Sequence, residues 1–177
     1  YLLYVGTRNE YKNYKNFAKA IAISKKLKKN FNLVFFGGGR LTQHEMNFFH
    51  SLGFNYSDIS QISGDDNDLI YLYKNASAFI YPSFYEGFGS SPLEAMSHGC
   101  PVISSNTSCL PEIQGDASEK FDPNNIEEIA NQIESVVFFK DRREKLILFG
   151  YKQAEKYSWN NCALQTLEIY KKFKFKS

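Results

Sequence analysis

The chain has 177 residues, the size of one domain and enough to bury most of the apolar surface an unfolded chain exposes. Its 21 Lys+Arg stand against 19 Asp+Glu, a formal net charge of +2, which argues against a nucleic-acid-binding protein with its usual basic excess. Aromatic residues make up 16% of the chain, with 12 Tyr and 16 Phe, and predict a well-filled aromatic core.

The opening run YLLYVG (1–6) is apolar and ends in glycine, as a buried strand does. A strand already under way at the first residue makes the chain expected to be a piece of a longer protein. KNFAKAIAISKKL (15–27) spaces its apolar residues for a helix and puts lysines on the other face. NLVFF (32–36) predicts a second strand, stopped by three glycines at 37–39. TQHEMNFFHSLG (42–53) predicts a helix capped by Thr42 and ended by Gly53. A weak strand, DISQIS (58–63), precedes a short helix with an acidic start at 66–76. SAFIYPS (77–83) is a strand ended by Pro82, and SSPLEAMSHG (90–99) is a helix with Pro92 in its first turn and Gly99 as its stop. PVISS (101–105) and EKFD (119–122) are the last strands expected, followed by helices over about 124–138, 140–155 and 158–172. The final helix reads as amphipathic, with Trp159 as a packing anchor and a basic end as a solvated face.

Alternating strands and helices predict an α/β fold, a doubly wound, Rossmann-like parallel sheet of about six strands with helices on both faces. No repeat, linker or low-complexity segment divides residues 1–177, so a single domain is expected. Cys100, Cys109 and Cys162 form no C-x-x-C pair and suggest buried or half-buried thiols of a reducing compartment. No signal peptide and no apolar run of bilayer length is visible.

In such a sheet, ligands bind beyond the carboxyl ends of the strands where the strand order reverses. With the order 3-2-1-4-5-6, the first and fourth strands flank that point. The loop after the first strand carries Gly6, Arg8, Lys12 and Lys15. Cations at a helix start oppose its dipole, and a bound diphosphate would reverse that cost; a plain basic surface loop is the competing reading. The loop after the fourth strand carries Glu86, Gly87, Gly89 and then Ser90 as an expected N-cap, with Glu94 one turn into the helix. A carboxylate there is placed to accept from a vicinal diol such as that of a ribose. Glu86 is placed to hold a sugar hydroxyl or to stabilise positive charge at a reacting carbon. Taken singly, Glu94 also reads as a helix-dipole acid and Glu86 as an exposed turn residue.

Nearly end to end, the sequence resembles the C-terminal, donor-binding domain of GT-B fold retaining glycosyltransferases of family 4, the group 1 glycosyltransferases. The resemblance rests on YLLYVGTRNEYKN, LVFFGGG, the block PSFYEGFGSSPLEAMSHGCPV with its E-x7-E pair Glu86 and Glu94, and the closing segments FDPNNIEEIANQI and YSWNNCA. It implies that Glu86, Arg8 and Lys12 are catalytic, the two cations holding the diphosphate as it departs. It implies that Gly6, Thr7, Phe88, Gly89, Ser90 and Ser91 line the donor, mostly through backbone, and that Glu94 binds the ribose. Serines at 90 and 91 depart from the apolar residues or proline common in the family and leave the sugar open. The substrate implied is a nucleotide diphosphate sugar such as a GDP- or UDP-hexose, with no cofactor and no metal. GDDND (64–68) reads as the acidic start of a helix rather than a metal-ligand set. The resemblance further implies a cytoplasmic enzyme of polysaccharide biosynthesis, and a saccharide or lipid-linked acceptor held by an N-terminal domain. Peripheral contact with the inner face of the plasma membrane stays open. Competing functions are a non-catalytic nucleotide-sugar-binding module and an epimerase or hydrolase of the same fold. A dinucleotide site is disfavoured because no G-x-G-x-x-G follows the first strand.

Overall fold

A computed structural model describes residues 1–174. Six strands, β1 (Leu2–Val5), β2 (Leu33–Phe36), β3 (Ile59–Ile62), β4 (Ala78–Tyr81), β5 (Val102–Ser105) and β6 (Ser118–Phe121), form one parallel sheet in the order β3-β2-β1-β4-β5-β6. This is the expected order, with the reversal between β1 and β4.

The strands are short and apolar because both faces of the sheet are covered. Alternate side chains enter opposite cores. Leu2 and Tyr4 of β1, Leu33 and Phe35 of β2 and Ile80 of β4 point to one core. Leu3, Val34 and Phe79 point to the other. The first core is covered by α1 (Tyr14–Ile23), α2 (Lys25–Asn30), α3 (Gln43–Ser51) and α7 (Ile126–Val137). The second is covered by α4 (Asp66–Asn75), α5 (Ser90–Ser97), α6 (Leu110–Gln114) and α8 (Lys140–Ala154). The aromatic residues concentrate in the first core. Phe35 lies 5.3 Å from Tyr4, 6.3 Å from Phe17 and 5.5 Å from Phe49, ring centre to ring centre.

Local signals set most helix ends. Thr42 and Glu45 form a capping box at the start of α3, and Asp65 and Asp68 form one at the start of α4, so the acidic GDDND run is a helix start. Gly53, at φ 76°, ends the α3 segment.

Five expectations are corrected. The helix expected over 15–27 is two helices, because Ser24 leaves helical geometry and its hydroxyl caps α2 by accepting from Leu27 N–H at 3.1 Å. A short helix, α6, lies between β5 and β6 where none was expected, with Pro111 in its first turn. Ser90 is not the N-cap of α5 but its first residue; the cap is Gly89, at φ 81°, and no side chain caps that end. A Cβ at Gly89 would meet Leu110 Cδ2 at 2.8 Å, so close packing as well as the positive φ demands glycine there. Finally, Trp159 is no packing anchor: it opens α9 (Trp159–Lys174) 90% exposed, on a helix whose described side chains are all exposed. The last three residues of the basic tail lie outside the described residues. Of the cysteines, Cys100 is buried, Cys109 half-buried and Cys162, contrary to expectation, exposed on α9. No helix among the described residues is long and apolar enough to cross a membrane.

Candidate active site

The chain leaves β1 at Gly6, at φ 116°, a conformation open to glycine. It makes one tight turn (Glu10–Lys12) and enters α1 through Asn13, whose φ is 55°. Asn13 is buried and its amide donates to Pro82 O at 3.0 Å and Pro123 O at 2.9 Å. Phe84 N–H donates to Tyr11 O at 2.8 Å. These bonds tie the loop after β1 to the loop after β4, and with it the two stretches the sequence marked as chemically unusual.

That junction brings Lys12 to Glu86. Lys12 Nζ lies 2.7 Å from Glu86 Oε1 and 3.2 Å from the Tyr81 hydroxyl, with the lysine and glutamate side chains 15% and 12% exposed. Glu86 is held from behind as well: its N–H donates to Ser108 Oγ at 3.1 Å and its carbonyl accepts from Cys109 Sγ at 3.1 Å. Burial, reinforced by the charge of Glu86, pushes the Tyr81 hydroxyl well above its ordinary value, so it stays a neutral partner for the ammonium.

Arg8 takes a different direction. Its Nε donates to Glu45 Oε1 at 2.6 Å, and its Nη groups donate to the carbonyls of Gly37, Gly38, Gly39 and Arg40 at 3.3, 3.3, 2.9 and 3.2 Å. Arg8 is therefore fastened to the glycine turn after β2, next to Gly6 and the exposed Thr7. Burial raises the Glu45 carboxyl, but its hydrogen bonds to Arg8 and Thr42 outweigh this and hold it below its ordinary value. A carboxyl lowered on folding contributes stability that is present above its unfolded pKa and is lost as pH falls through the folded one. Unfolding midpoints of the wild type and E45Q should therefore differ at about pH 7 and converge as the pH falls below the ordinary carboxyl range. A difference that does not shrink on acidification would show that the carboxylate charge is not what stabilises.

The start of α5 forms the remaining wall. Gly89 is buried, Ser90 exposed and Ser91 half-buried. No side-chain hydrogen bond among the described residues caps this end, which leaves the N–H groups of Ser90 and Ser91, though not Pro92, available to an anion. Phe88 is exposed and packs edge-on against Tyr157, with ring centres 5.9 Å apart. Glu94 is exposed on α5, and after burial itself its charge is the next cause of the raised Tyr73 hydroxyl. Of the residues marked in the sequence, Lys12 and Glu86 meet directly, whereas Arg8 is paired elsewhere. His44 and His50 stand apart, His50 packing on Tyr56, and His98 lies just past α5, stacked on Tyr73. Asn13, Glu45, Tyr81 and Ser108 were not marked. Only Glu45 carried a local signal, the T-x-x-E spacing from Thr42. Among the described residues, no three His, Cys, Asp or Glu side chains gather as a metal ion would need.

Compared with known proteins, residues 1–153 match the family described as "Glycosyl transferases group 1". The chain belongs to the group 1 glycosyltransferases. It is 48% identical over 106 residues to the O-antigen chain mannosyltransferase B of Escherichia coli, covering 60% of this chain and 28% of that protein. It is 32% identical over 150 residues to an uncharacterized glycosyltransferase of Methanocaldococcus jannaschii, covering 80% of this chain and 37% of that one. The glycosyltransferase chain thus spans about a third of the length of these curated relatives. Its fold is shared with sucrose-phosphate synthase of Thermosynechococcus elongatus, at TM-score 0.85 and 21% identity over 99% of this chain and 46% of that chain. It is also shared with the C-terminal domain of a group 1 glycosyl transferase of Francisella tularensis, at TM-score 0.70 and 23% identity over 88% of this chain and 85% of that one. The expected Rossmann-like, GT-B type fold and family therefore hold.

Proposed function

We propose that this glycosyltransferase chain is the donor-binding domain of a retaining hexosyltransferase that takes its sugar from a nucleotide diphosphate sugar without a metal ion. The reading is carried by one observation: a lysine–glutamate pair 2.7 Å apart lies at the topological reversal, beside an uncapped helix start. Lys12 and the first-turn amides of α5 supply positive charge for a diphosphate, and Arg8 adds to it from the β1 side. Glu86 then faces the sugar, where a carboxylate stabilises the positive charge that builds at the anomeric carbon as its bond to the diphosphate oxygen breaks. The departing diphosphate accumulates negative charge, which Lys12 and Arg8 offset. The acceptor oxygen forms the new bond to that carbon as the bond to the diphosphate oxygen breaks, and its proton passes to that departing diphosphate oxygen. Glu94 accepts from the ribose hydroxyls, and the backbone of Gly6, Thr7 and residues 88–91 contacts the donor. The names of the E. coli relatives favour mannose as the sugar and a polysaccharide as the product. The acceptor side we assign to a second domain of a longer protein, as the sharing of only part of each relative suggests.

The test is calorimetric titration with UDP, GDP and ADP, with and without EDTA. Selective binding of one diphosphate, unaffected by EDTA, is expected. E94A should weaken that binding by about 1–3 kcal/mol through the lost ribose hydrogen bonds. Unchanged affinity in E94A would remove the ribose assignment, and a requirement for divalent metal would remove the metal-free mechanism.

A further inference from the structure

Glu45 lies outside the two loops that flank the reversal, yet Arg8 ties it to the first of them. Its two carboxylate oxygens do different things. Oε2 accepts from Thr42 N–H at 2.7 Å and Thr42 Oγ1 at 2.9 Å, closing the start of α3. Oε1 accepts from Arg8 Nε at 2.6 Å, and the two side chains are only 3% and 12% exposed. The other end of the guanidinium is held differently, because all its partners are neutral carbonyls of the turn at residues 37–40. A phosphate pairs a full opposite charge with the guanidinium and can take two of its N–H groups at once, which a backbone carbonyl cannot. An arriving phosphate therefore displaces the carbonyls and leaves Glu45 in place.

We infer that Glu45 is a positioning residue for the donor: it anchors Arg8 by Nε so that the Nη edge is directed to a nucleoside diphosphate. This rests on the diphosphate reading proposed above. Glu45 keeps Arg8 from swinging into solvent, where its rotamer entropy would have to be lost on binding. It does not touch the ligand.

The test is titration of the wild type, E45Q, E45D, R8A, R8A/E45Q and T42A with UDP and GDP and with uridine and guanosine, with thermal unfolding of each. Gln brings no charge and one oxygen in place of two, so it serves Arg8 or the helix start but not both. E45Q should weaken diphosphate binding roughly tenfold, the factor that about 1.4 kcal/mol represents, and leave nucleoside binding unchanged. R8A/E45Q should bind no more weakly than R8A, because Glu45 acts only through Arg8. T42A should lower Tm by loss of the cap yet keep the wild-type diphosphate affinity. Should E45Q not fold, E45D, which keeps the charge but withdraws it, carries the same expectation at smaller size. Wild-type affinity in E45Q, additive losses in R8A/E45Q, or the same loss in T42A would overturn the role of Glu45 alone. A wild type that binds no diphosphate would overturn the donor reading and this inference with it.

Discussion

Replacing Lys12 with alanine is expected to damage both stability and diphosphate binding, and the two losses should be separable. In the wild type Lys12 Nζ sits 2.7 Å from Glu86, with neither side chain more than 15% exposed. Removing one partner of a buried pair strands the other charge, at a cost of roughly 3–5 kcal/mol when burial is complete. With this residual exposure, about 2–3 kcal/mol is expected for K12A. K12A/E86Q leaves no stranded charge, so its denaturant midpoint should recover toward the wild type. Its diphosphate binding should not recover, because the cation is still missing; a lost charge-assisted hydrogen bond of about 1.5–3 kcal/mol is a roughly 10- to 100-fold loss of affinity. Free nucleoside should bind K12A as it binds the wild type. If the double variant is as unstable as K12A, the stranded carboxylate is not the cause. Equal losses for nucleoside and diphosphate would place the diphosphate away from Lys12.

Gly38→Ala is expected to be the most destabilising of the conservative changes near the site, and its neighbour provides the control. Gly38 and Gly39 have nearly the same backbone, at φ 71° and 76°. A Cβ at Gly39 would meet nothing within 4 Å, whereas one at Gly38 would lie 2.7 Å from Gly6 O, 3.0 Å from Arg8 Nη1 and 3.1 Å from Thr7 Cα. Both alanines carry the strain of a left-handed residue, about 1–2 kcal/mol. Only G38A also forces apart two backbone turns that cannot yield as a flexible side chain would, for a total of roughly 2–4 kcal/mol. For a chain of this size that is a fall in Tm on the order of 10 °C for G38A and about 3 °C for G39A. Similar Tm values for the two variants would mean that the turns are not in the close contact the geometry gives them.

Much of this protein is readable along the chain because the signals are local. The change of period from strand to helix needs only a handful of consecutive residues, and so do the caps at Thr42 and Asp65 and the stop at Gly53. From that alternation follows the parallel sheet, and with the strand order the structure has come the reversal between β1 and β4 and the crevice where Lys12 and Glu86 meet. What the chain by itself could not decide is which partner each polar group takes once distant segments are packed together. Arg8 reaches Glu45 across 37 residues and Lys12 reaches Glu86 across 74, and no local pattern ranks a carboxylate on α3 against a diphosphate as the partner of Arg8. Ser90 has the residue type of an N-cap, but α5 starts one residue earlier, with Gly89 as its cap where Leu110 leaves no room for a Cβ. Trp159 has the size of a core residue but sits on a helix that projects its side chains into solvent. The sequence by itself determined the alternation of strands and helices and, with it, the place of the candidate site, because these depend on short-range periodicity and steric rules. Only the tertiary structure decided the ion pairs and the exposure of single side chains, because Coulomb attraction and burial depend on distances set by the whole fold.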